Sequence, residues 1–308
     1  MLKNVLKIDI VIVNWNGGKM LFDCVQSLLQ SDYQDYTIHI MDNGSNDNSC
    51  STLPINDKIK IHFLNKNLGF GKACNEALQY CKGAFILLLN PDAVIKQDTL
   101  QKAIDFLSKN DYAVYGAAQV GESGVIMKTC GRYPNFFTFC NDVLGLYHLN
   151  NKLFKNGFIQ YDWSHNISQS VPHVMGSFYL IKRSLTNSLG LFDDRYFVYM
   201  EDLDLSLKVT KAGCNIYYDR DNVIYHKGGG VSEQVKAIRL YYILHAKYIF
   251  IKKHFNKLSF LASAFVLIFI SPIARFLFSL LVKHSFTQVK ECLIGYGKFY
   301  KYLFVGKV

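Results

Sequence analysis

The chain has 308 residues, half of them hydrophobic, and a formal charge of +10. This length can bury a substantial core, and the apolar content argues against disorder. The charge by itself allows nucleic acid, an anionic membrane or phosphorylated ligands as partners. Basic residues such as Lys252, Lys253 and Lys257 crowd against an apolar run, which favours a membrane surface. Because no module with interleaved aromatic and basic residues is recognisable, we expect no nucleic-acid partner.

The eight cysteines are spread along the chain without a C-x-x-C pair. This spacing argues against a zinc ribbon or a compact disulfide framework and predicts reduced thiols. The first apolar run, Ile8 to Val13, contains Asp9 and is too short for the core of a signal peptide. We therefore expect this part of the chain to stay in the cytoplasm.

Apolar strands alternate with helical patterns through the first part of the chain. Since this order implies a parallel, doubly wound α/β sheet, ligands should bind at the carboxyl ends of the strands. Polar residues directly follow all four predicted strands, so we expect them to converge on one crevice. The strands are predicted at Ile8 to Val13, Thr37 to Met41, Lys60 to Leu64 and Ala84 to Leu89, and the polar residues are Asn14, Asp42, Asn67 to Gly71 and Asp92.

The middle of the chain is less regular. A helix is predicted at Gln97 to Leu107 and a strand at Ala113 to Val120. Arg132 to Gln169 is aromatic and rich in Asn, without a clear period, and is too long for an ordinary loop, so we interpret it as an insertion. A strand interrupted by Gly176 is predicted at Val171 to Ile181, and a basic helix at Glu233 to His254.

The segment Leu258 to Val282 is apolar except for Arg275 and its serines. Its unbroken part, about 17 residues, is at the lower limit for crossing a bilayer. Pro272 should kink or end a helix there. The sequence leaves open a membrane hairpin or interfacial helix pair, a single span, and a buried soluble helix.

Two sequence features suit a nucleotide. Asp42 follows a strand, and its carboxylate could accept the N3–H of a uracil or thymine ring, although a turn aspartate that caps the next helix is equally compatible. Gly69 and Gly71 lie at a strand-to-helix corner with Lys72 at the helix start, where backbone amides suit a phosphate. A dinucleotide-binding motif would need a third glycine where Cys74 stands, which argues against an NAD-dependent oxidoreductase.

Acids and a histidine further along suit metal and proton chemistry. Asn90-Pro91-Asp92 resembles a D-x-D motif whose first acid is an amide, and Asp92 could hold Mg²⁺ or Mn²⁺ with the help of substrate phosphates, unless the tripeptide is only a tight turn. Glu201, Asp202 and Asp204 open a helical pattern after aromatic residues, which can raise a carboxyl pKa and create a general base. His226 precedes three glycines and could be a metal or diphosphate ligand.

Seven motifs in order resemble the family 2 glycosyltransferases, closest to the bacterial rhamnosyltransferase-like branch. They span about residues 8 to 232 and read V-N-W-N-G, D-N-G-S-N-D, N-L-G-F-G-K-A-C-N, L-N-P-D, G-S-F-Y-L-I-K-R, F-D-D-R-Y-F-V-Y-M-E-D-L-D-L and Y-H-K-G-G-G-V-S. The resemblance implies a GT-A fold, a mixed Rossmann-like sheet flanked by helices that binds a nucleotide-diphosphate sugar. It also implies inverting transfer of the sugar. The C-terminal residues 233–308 would then form a helical region that associates with the membrane.

The resemblance assigns roles to the motif residues. Asp202 would be the general base, and only the resemblance prefers it to Glu201. Asp92 and His226 would hold Mg²⁺ or Mn²⁺ and the diphosphate. The residues expected to bind substrate are Asn14, Asn16, Asp42, Asn67, Gly69, Gly71, Lys72, Asn75, Asn90 and Glu201.

The expected activity is transfer of L-rhamnose from dTDP-rhamnose to a glycan or lipid-linked acceptor at the cytoplasmic face of the membrane, in the biosynthesis of cell-surface polysaccharide. A hexosyltransferase that uses a UDP-sugar is the alternative within the same class. A nucleotide-sugar-binding protein without turnover is the alternative outside it. The insertion Arg132 to Gln169 is expected to face the acceptor.

Overall fold

The computed structural model describes residues 6–228 and 236–306. These divide into two compact units. The sheet unit comprises Met1–Gly131, Ser164–Asp194 and Glu201–Val231, and the helical unit comprises Arg132–Trp163, Arg195–Met200 and Ser232–Val308. All of the predicted site residues lie in the described part of the sheet unit. Most of the glycine run after His226 lies outside the described residues.

The described strands are short except for the last, which has 11 residues. They are β1 (Ile8–Asn14), β2 (Tyr36–Asp42), β3 (Ile59–Phe63), β4 (Phe85–Leu89), β5 (Ala93–Val94), β6 (Val114–Val120), β7 (Cys130–Gly131), β8 (Gln169–Ser170), β9 (His173–Val174), β10 (Phe178–Lys182) and β11 (Ile216–His226). The main sheet has the order β3-β2-β1-β4-β10-β6-β11-β5, with β8 on β11, while β7 pairs with β9.

The described helices are α1 (Gly18–Leu29), α2 (Phe70–Ala77), α3 (Thr99–Lys109), α4 (Phe136–Val143), α5 (Arg183–Leu189), α6 (Glu201–Lys211), α7 (Lys236–His254), α8 (Lys257–Phe265), α9 (Ser271–Leu277) and α10 (Phe286–Val305). In the sheet unit, β1 and β4 are buried along their whole length. Helix α1 packs Leu21, Val25 and Leu28 into the same core. Continuous apolar runs are typical of strands that are covered on both faces, so the sheet carries helices on both sides.

The strands β1 to β4 are parallel, as the alternating pattern predicted. Strand β10 runs antiparallel between β4 and β6, which makes the whole sheet mixed. Phe178, at the start of β10, pairs with Leu89, at the end of β4. The residues just before β10 therefore lie at the same edge of the sheet as the carboxyl ends of the parallel strands.

The helical unit has its own apolar core. Phe139 of α4 is buried with Leu240 of α7, Leu267 and Phe299 of α10. The segment that showed no clear period thus contributes a helix to this core. Its burial depends on side chains that lie 100 or more residues away in the sequence, which explains why local periodicity could not reveal it.

Residues Lys257–Val282 form one continuous helix of 26 residues, whose most apolar 18-residue window has a mean hydropathy of 2.4, so it is long and apolar enough to cross a membrane. Helices α8 and α9 are its α-helical parts, and π-helical turns occupy Val266–Ile270 and Phe278–Val282. Its length is about 39 Å at the usual rise per residue. Seen within the described residues, the segment is a single helix and not a hairpin or a helix pair.

Of the two outcomes predicted for Pro272, a kink or an end of the helix, the end is wrong, because the helix continues past it. A proline lacks an N–H, so the carbonyl four residues earlier loses its helical partner. That carbonyl belongs to Ile268, and the hydroxyl of Tyr300 in α10 donates to it at 2.7 Å. Ser271 Oγ donates to the carbonyl of Leu267 at 2.8 Å and contacts the hydroxyl of Tyr296 at 2.8 Å. Side chains of α10 and a π-helical turn thus accommodate the proline.

Candidate active site

The carboxyl ends of β1 and β2 meet in a buried polar cluster. Asn14 and Asp42 face each other in the parallel ladder, and Asn14 Nδ2 donates to Asp42 Oδ1 at 3.0 Å. The other oxygen of Asp42 accepts from the backbone N–H of Ser45 at 3.2 Å. A carboxylate offers about four acceptor positions, so Asp42 keeps the capacity to accept one more donor.

A second polar group surrounds the N-terminus of α2. Asn43 Oδ1 accepts from the backbone N–H of Leu68 at 2.8 Å, and its amide donates to Asn67 Oδ1 at 2.9 Å. Gly69, the residue before α2, has a φ of +84°, which favours glycine. Asn67 Oδ1 also accepts from the backbone N–H of Gly69 at 2.9 Å. The loop is therefore held by asparagine side chains, which leaves the first N–H groups of α2 oriented for an anion.

The remaining members of the predicted donor loop differ in their surroundings. Gly71 is buried, and Lys72 is half-buried at the start of α2. Asn75 contacts Asp194 at 2.7 Å and makes two hydrogen bonds with the backbone of Phe192. Asn16 has a φ of +54°, and its side-chain oxygen accepts from the backbone N–H of Asn46 at 2.9 Å. Asn16 and Asn75 thus hold neighbouring chain segments in this structure.

A histidine and an aspartate meet where β4 and β11 end. His226 Nε2 lies 3.2 Å from Asp92 Oδ1 and 3.3 Å from Asn90 Nδ2. His226 Nδ1 lies 2.8 Å from Gln119 Oε1. The Gln119 amide donates to Ser177 Oγ at 2.6 Å. Because an amide oxygen only accepts, Nδ1 carries a proton, and in the neutral imidazole the lone pair of Nε2 faces Asp92.

Asp202 is connected to this pair through the residues that precede β10. Its Oδ2 accepts from the backbone N–H of Gly176 at 2.8 Å, and its Oδ1 accepts from the N–H of Leu203 at 2.8 Å. A Cβ at position 176 would lie 3.3 Å from this carboxylate, so a glycine permits the close approach. Ser177 follows directly and accepts from Gln119. Asp202 is thus connected to Gly176, and Ser177, the next residue in the chain, is connected through Gln119 to His226, which faces Asp92.

The two acids at the start of α6 have different environments. The Asp202 side chain is 19% exposed and the nearest basic group is His173 Nε2, at 3.9 Å. Glu201 is 5% exposed, and its Oε2 has no hydrogen-bond partner among the described residues. Burial and the neighbouring Asp202 raise the pKa of Glu201 well above its usual value. Glu201 is thus suited to a neutral buried role, and Asp202 to contact with a ligand.

Sequence reasoning did not single out Gln119, Ser177, His173 or Asn43. Three of them are buried polar residues at strand ends, namely Gln119, Ser177 and Asn43. His173 Nδ1 lies 2.9 Å from Ser206 Oγ. A polar residue that interrupts an apolar strand, as Gln119 does in β6, is the one signal that was available. Its partner could not be read from the sequence, because the two are 107 residues apart.

A second aspartate–histidine pair lies near the start of β1, at some distance along the strand from its carboxyl end. His39 Nε2 is 3.1 Å from Asp9 Oδ1, and ligand atoms of Asp9, His39 and Cys81 lie within 4.8 Å of one another. Asp9 Oδ2 also accepts from the backbone N–H groups of Lys82 and Gly83, both at 2.6 Å. Burial and Asp9 raise the pKa of Cys81 to about 12. Both oxygens of Asp9 already have partners, His39 on one and two backbone N–H groups on the other, so little of this carboxylate is left for a cation.

The mixed sheet with flanking helices and polar strand ends defines the GT-A class of α/β proteins. The sequence model of the family described as Glycosyl transferase family 2 matches residues 9–190. The chain belongs to this family and is a glycosyltransferase. The resemblance drawn from its motifs is thereby confirmed at the level of the family and the fold.

Two relatives with curated names match over most of the chain. The glycosyltransferase GlyG of Streptococcus pneumoniae serotype 4 is 25% identical over 225 residues, 69% of this chain and 70% of the relative. An N-acetylglucosaminyl-diphospho-decaprenol L-rhamnosyltransferase of Mycobacterium tuberculosis is 25% identical over 235 residues, 71% of this chain and 76% of the relative. The named relatives thus include an L-rhamnosyltransferase.

Solved structures share the fold at low identity. A mannosyltransferase from Pyrobaculum calidifontis in complex with GDP-Man and Mn²⁺ has a TM-score of 0.54 and 15% identity, covering 97% of this chain and 79% of that protein. Residues 1–349 of TarS from S. aureus in complex with UDP-GlcNAc have a TM-score of 0.54 and 17% identity, covering 96% and 81%. Both show the fold alone.

Proposed function

We propose that this protein transfers a sugar from a nucleotide diphosphate to an acceptor hydroxyl with inversion at the anomeric carbon. The observation that carries the proposal is that hydrogen bonds connect two groups to the adjacent residues Gly176 and Ser177: Asp202 through Gly176, and the Asp92–His226 pair through Gln119 and Ser177. The first group is a partly exposed carboxylate, suited to act as a base, and the second is a pair of atoms suited to a cation. A transferase that inverts needs both groups, since attack and departure occur on opposite faces of the sugar.

Asp92 and His226 would hold Mg²⁺ or Mn²⁺. Their facing atoms, 3.2 Å apart, are both lone-pair donors when the imidazole is neutral, and such atoms repel unless a cation or proton lies between them. Adjacent ligands of an octahedral ion with bonds of about 2.1 Å are about 3 Å apart, which the pair matches. The contact between His226 Nδ1 and Gln119 fixes the orientation of the imidazole ring, as hydrogen bonds to metal-binding histidines usually do. When bound, the metal would supply charge neutralisation for the diphosphate.

Asp202 would accept the proton of the acceptor hydroxyl. The hydroxyl oxygen then forms a bond to the anomeric carbon, and the bond between that carbon and the diphosphate oxygen breaks, with its electron pair leaving on the nucleotide diphosphate. Two backbone N–H groups fix the orientation of the Asp202 carboxylate. A fixed orientation lowers the cost of reaching the reactive geometry.

The donor nucleotide would lie along the ends of β1 and β2. Asp42 would accept N3–H of a thymine or uracil ring, with Asn14 and Asn16 beside it. Asn67, Gly69, Gly71, Lys72 and Asn75 would border the donor, with Asn90 next to the metal. Glu201 would act as a neutral neighbour of Asp202. We propose dTDP-L-rhamnose as the donor because a named rhamnosyltransferase is among the relatives.

The acceptor is proposed to be a lipid-linked glycan at the cytoplasmic face of the membrane. The helix Lys257–Val282 supports this, since it is apolar and only 17% of its most apolar window is buried. In this proposal residues 1–232 form the glycosyltransferase domain and residues 233–308 associate with the membrane.

A panel of nucleotide sugars, with and without EDTA, tests the proposal through release of nucleotide diphosphate and thermal shift. We expect one donor to raise the melting temperature and to be turned over only with metal present. Asp202→Asn should lower kcat by 100-fold or more, on the order of a lost general base, and keep the donor's thermal shift. Asp221→Asn, at a side chain that is 89% exposed, is the matched control and should be fully active. Turnover by Asp202→Asn with unchanged donor binding would refute the assignment of the base.

A further inference from the structure

The helical unit contains a cavity of about 630 Å³. It lies between the segment from Asp142 to His148 and helices α7, α9 and α10. This volume is in the range of small-molecule sites. Its wall is mixed, with Leu240, Ala274 and Phe278 on the apolar side and Tyr147, Thr287 and Gln288 among the hydrogen-bonding groups.

Two arginines line this cavity, Arg239 from α7 and Arg275 from α9. Within residues 6–228 and 236–306, neither guanidinium forms a hydrogen bond or an ion pair. Arg275 follows Leu267 and Ser271 at intervals of eight and four residues, and both of these are fully buried. It lies on the same side of the apolar helix as these two residues, and its exposed side chain lines the cavity. An arginine in such a helix is costly unless it serves a ligand or a polar cavity.

The two carboxylates that line the cavity form no ion pair with Arg239 or Arg275 among the described residues. Asp142 forms an ion pair with Lys247. Glu291 is the other carboxylate of the wall, and no arginine lies within ion-pair distance of it among the described residues. Burial raises the pKa of Tyr147 to about 12, so its hydroxyl stays protonated and can donate. Two free guanidiniums and a hydroxyl donor beside a single unpaired carboxylate favour an anion.

The outward face of the same helix is apolar and exposed. Phe269, Ile273 and Leu281 are 58%, 62% and 62% exposed. Phe278 belongs to both surfaces, because it is 41% exposed and lines the cavity. The polar cavity thus adjoins a strip of hydrocarbon surface, which is the arrangement that an anionic head on a long apolar chain requires.

We propose that this cavity binds the diphosphate of a lipid-linked acceptor, with Arg239 and Arg275 on its oxygens and the hydrocarbon chain along the exposed face of the helix 257–282. This inference rests on the proposed function, whose acceptor class it specifies. Guanidinium groups suit the assignment because their planar N–H donors bind two phosphate oxygens at once.

Binding of farnesyl diphosphate to the full-length protein in detergent tests the proposal, with farnesol as the uncharged counterpart. Arg239→Gln and Arg275→Gln should each weaken binding of farnesyl diphosphate about tenfold, as expected for one lost charge-assisted contact. Lys290→Gln is the matched control, since Lys290 is an exposed cation on α10 outside the cavity wall. Equal binding of farnesol and farnesyl diphosphate, or unchanged binding by both arginine variants, would overturn the proposal.

Flotation with vesicles of phosphatidylcholine, alone or mixed with phosphatidylglycerol, separates the lipid-linked diphosphate from ordinary anionic lipid. We expect the arginine variants to float as the unaltered protein does. If their attachment to anionic vesicles falls while farnesyl diphosphate still binds, the arginines serve the membrane surface and the proposal is wrong. These assays need no donor, so their outcome is independent of the nucleotide-sugar panel. A melting temperature equal to that of the unaltered protein, measured without any ligand, shows that each variant is folded.

Discussion

The sheet unit contains two aspartate–histidine pairs with almost equal distances but different hydrogen-bond partners. His226 lies 3.2 Å from Asp92 and His39 lies 3.1 Å from Asp9, and all four residues are buried. Asp9 follows the first residue of β1, and its second oxygen is occupied by two backbone N–H groups. His226 ends β11, where strand ends leave room for a ligand. Distance and burial alone therefore do not distinguish the proposed metal-binding pair from the other pair, whereas the hydrogen bonds around each pair differ.

The largest expected effects separate these two pairs. His226→Ala should lower kcat/KM about 100-fold, the upper range for a lost metal contact, with little change in melting temperature. His39→Ala should instead lower the free energy of unfolding by about 3 kcal/mol, because it leaves a buried carboxylate without its partner. Steady-state kinetics and urea unfolding of both variants provide the measurement. The comparison fails if the two variants show the same pattern of losses.

A smaller effect is expected at the residue that orients His226. Gln119→Leu removes the acceptor at Nδ1, so the ring loses its fixed orientation, and the apparent affinity for Mn²⁺ should fall about tenfold. Gln119→Glu keeps an acceptor there and should restore most of the affinity. Titration of activity with Mn²⁺ checks both. An unchanged Mn²⁺ dependence in Gln119→Leu would place the metal elsewhere.

In the helical unit, the hydroxyl of Tyr300 allows a test of how much a hydrogen bond to a backbone carbonyl without a helical partner contributes to stability. Tyr300→Phe removes the donor to the Ile268 carbonyl that Pro272 leaves without a helical partner. We expect a loss of about 1 kcal/mol in the free energy of unfolding. The double variant with Pro272→Ala should recover that loss, since the carbonyl regains a helical N–H. Additive losses in the double variant would contradict this account of the proline.

The smallest expected effect is the contribution of Asp9 to the pH dependence of the unfolding free energy. Burial alone would raise the pKa of Asp9, but hydrogen bonds from His39 and from the backbone of Gly83 and Lys82 outweigh it and hold the pKa below its usual value of 3.8. Because the folded pKa is the lower one, the stability from Asp9 is present above pH 3.8 and is lost as the pH falls toward the folded pKa. The unfolding free energy of Asp9→Asn should therefore depend less on acid. Parallel pH curves for the two proteins would show that the carboxylate contributes nothing.

The sequence by itself determined the first four strands and their parallel arrangement in outline. Continuous β-branched runs such as Ile8 to Val13 have to be buried on both faces, and a polar residue directly after such a run must lie at a strand end. The positions of Asn14, Asp42 and Asp92 at one edge follow from those two facts. The motif resemblance then supplied the family and the preference for Asp202.

Tertiary structure alone decided how these residues are connected. The insertion of β10 between β4 and β6 brings Gly176 and Ser177 to the strand ends, and although a strand was predicted there, its neighbours and its antiparallel direction cannot be read from local periodicity. Tertiary structure also decided that Gln119 contacts His226, 107 residues away in the sequence, and that burial raises the pKa of Glu201. Periodicity reports which face of an element is covered, but the partner that covers it is fixed only when the chain folds.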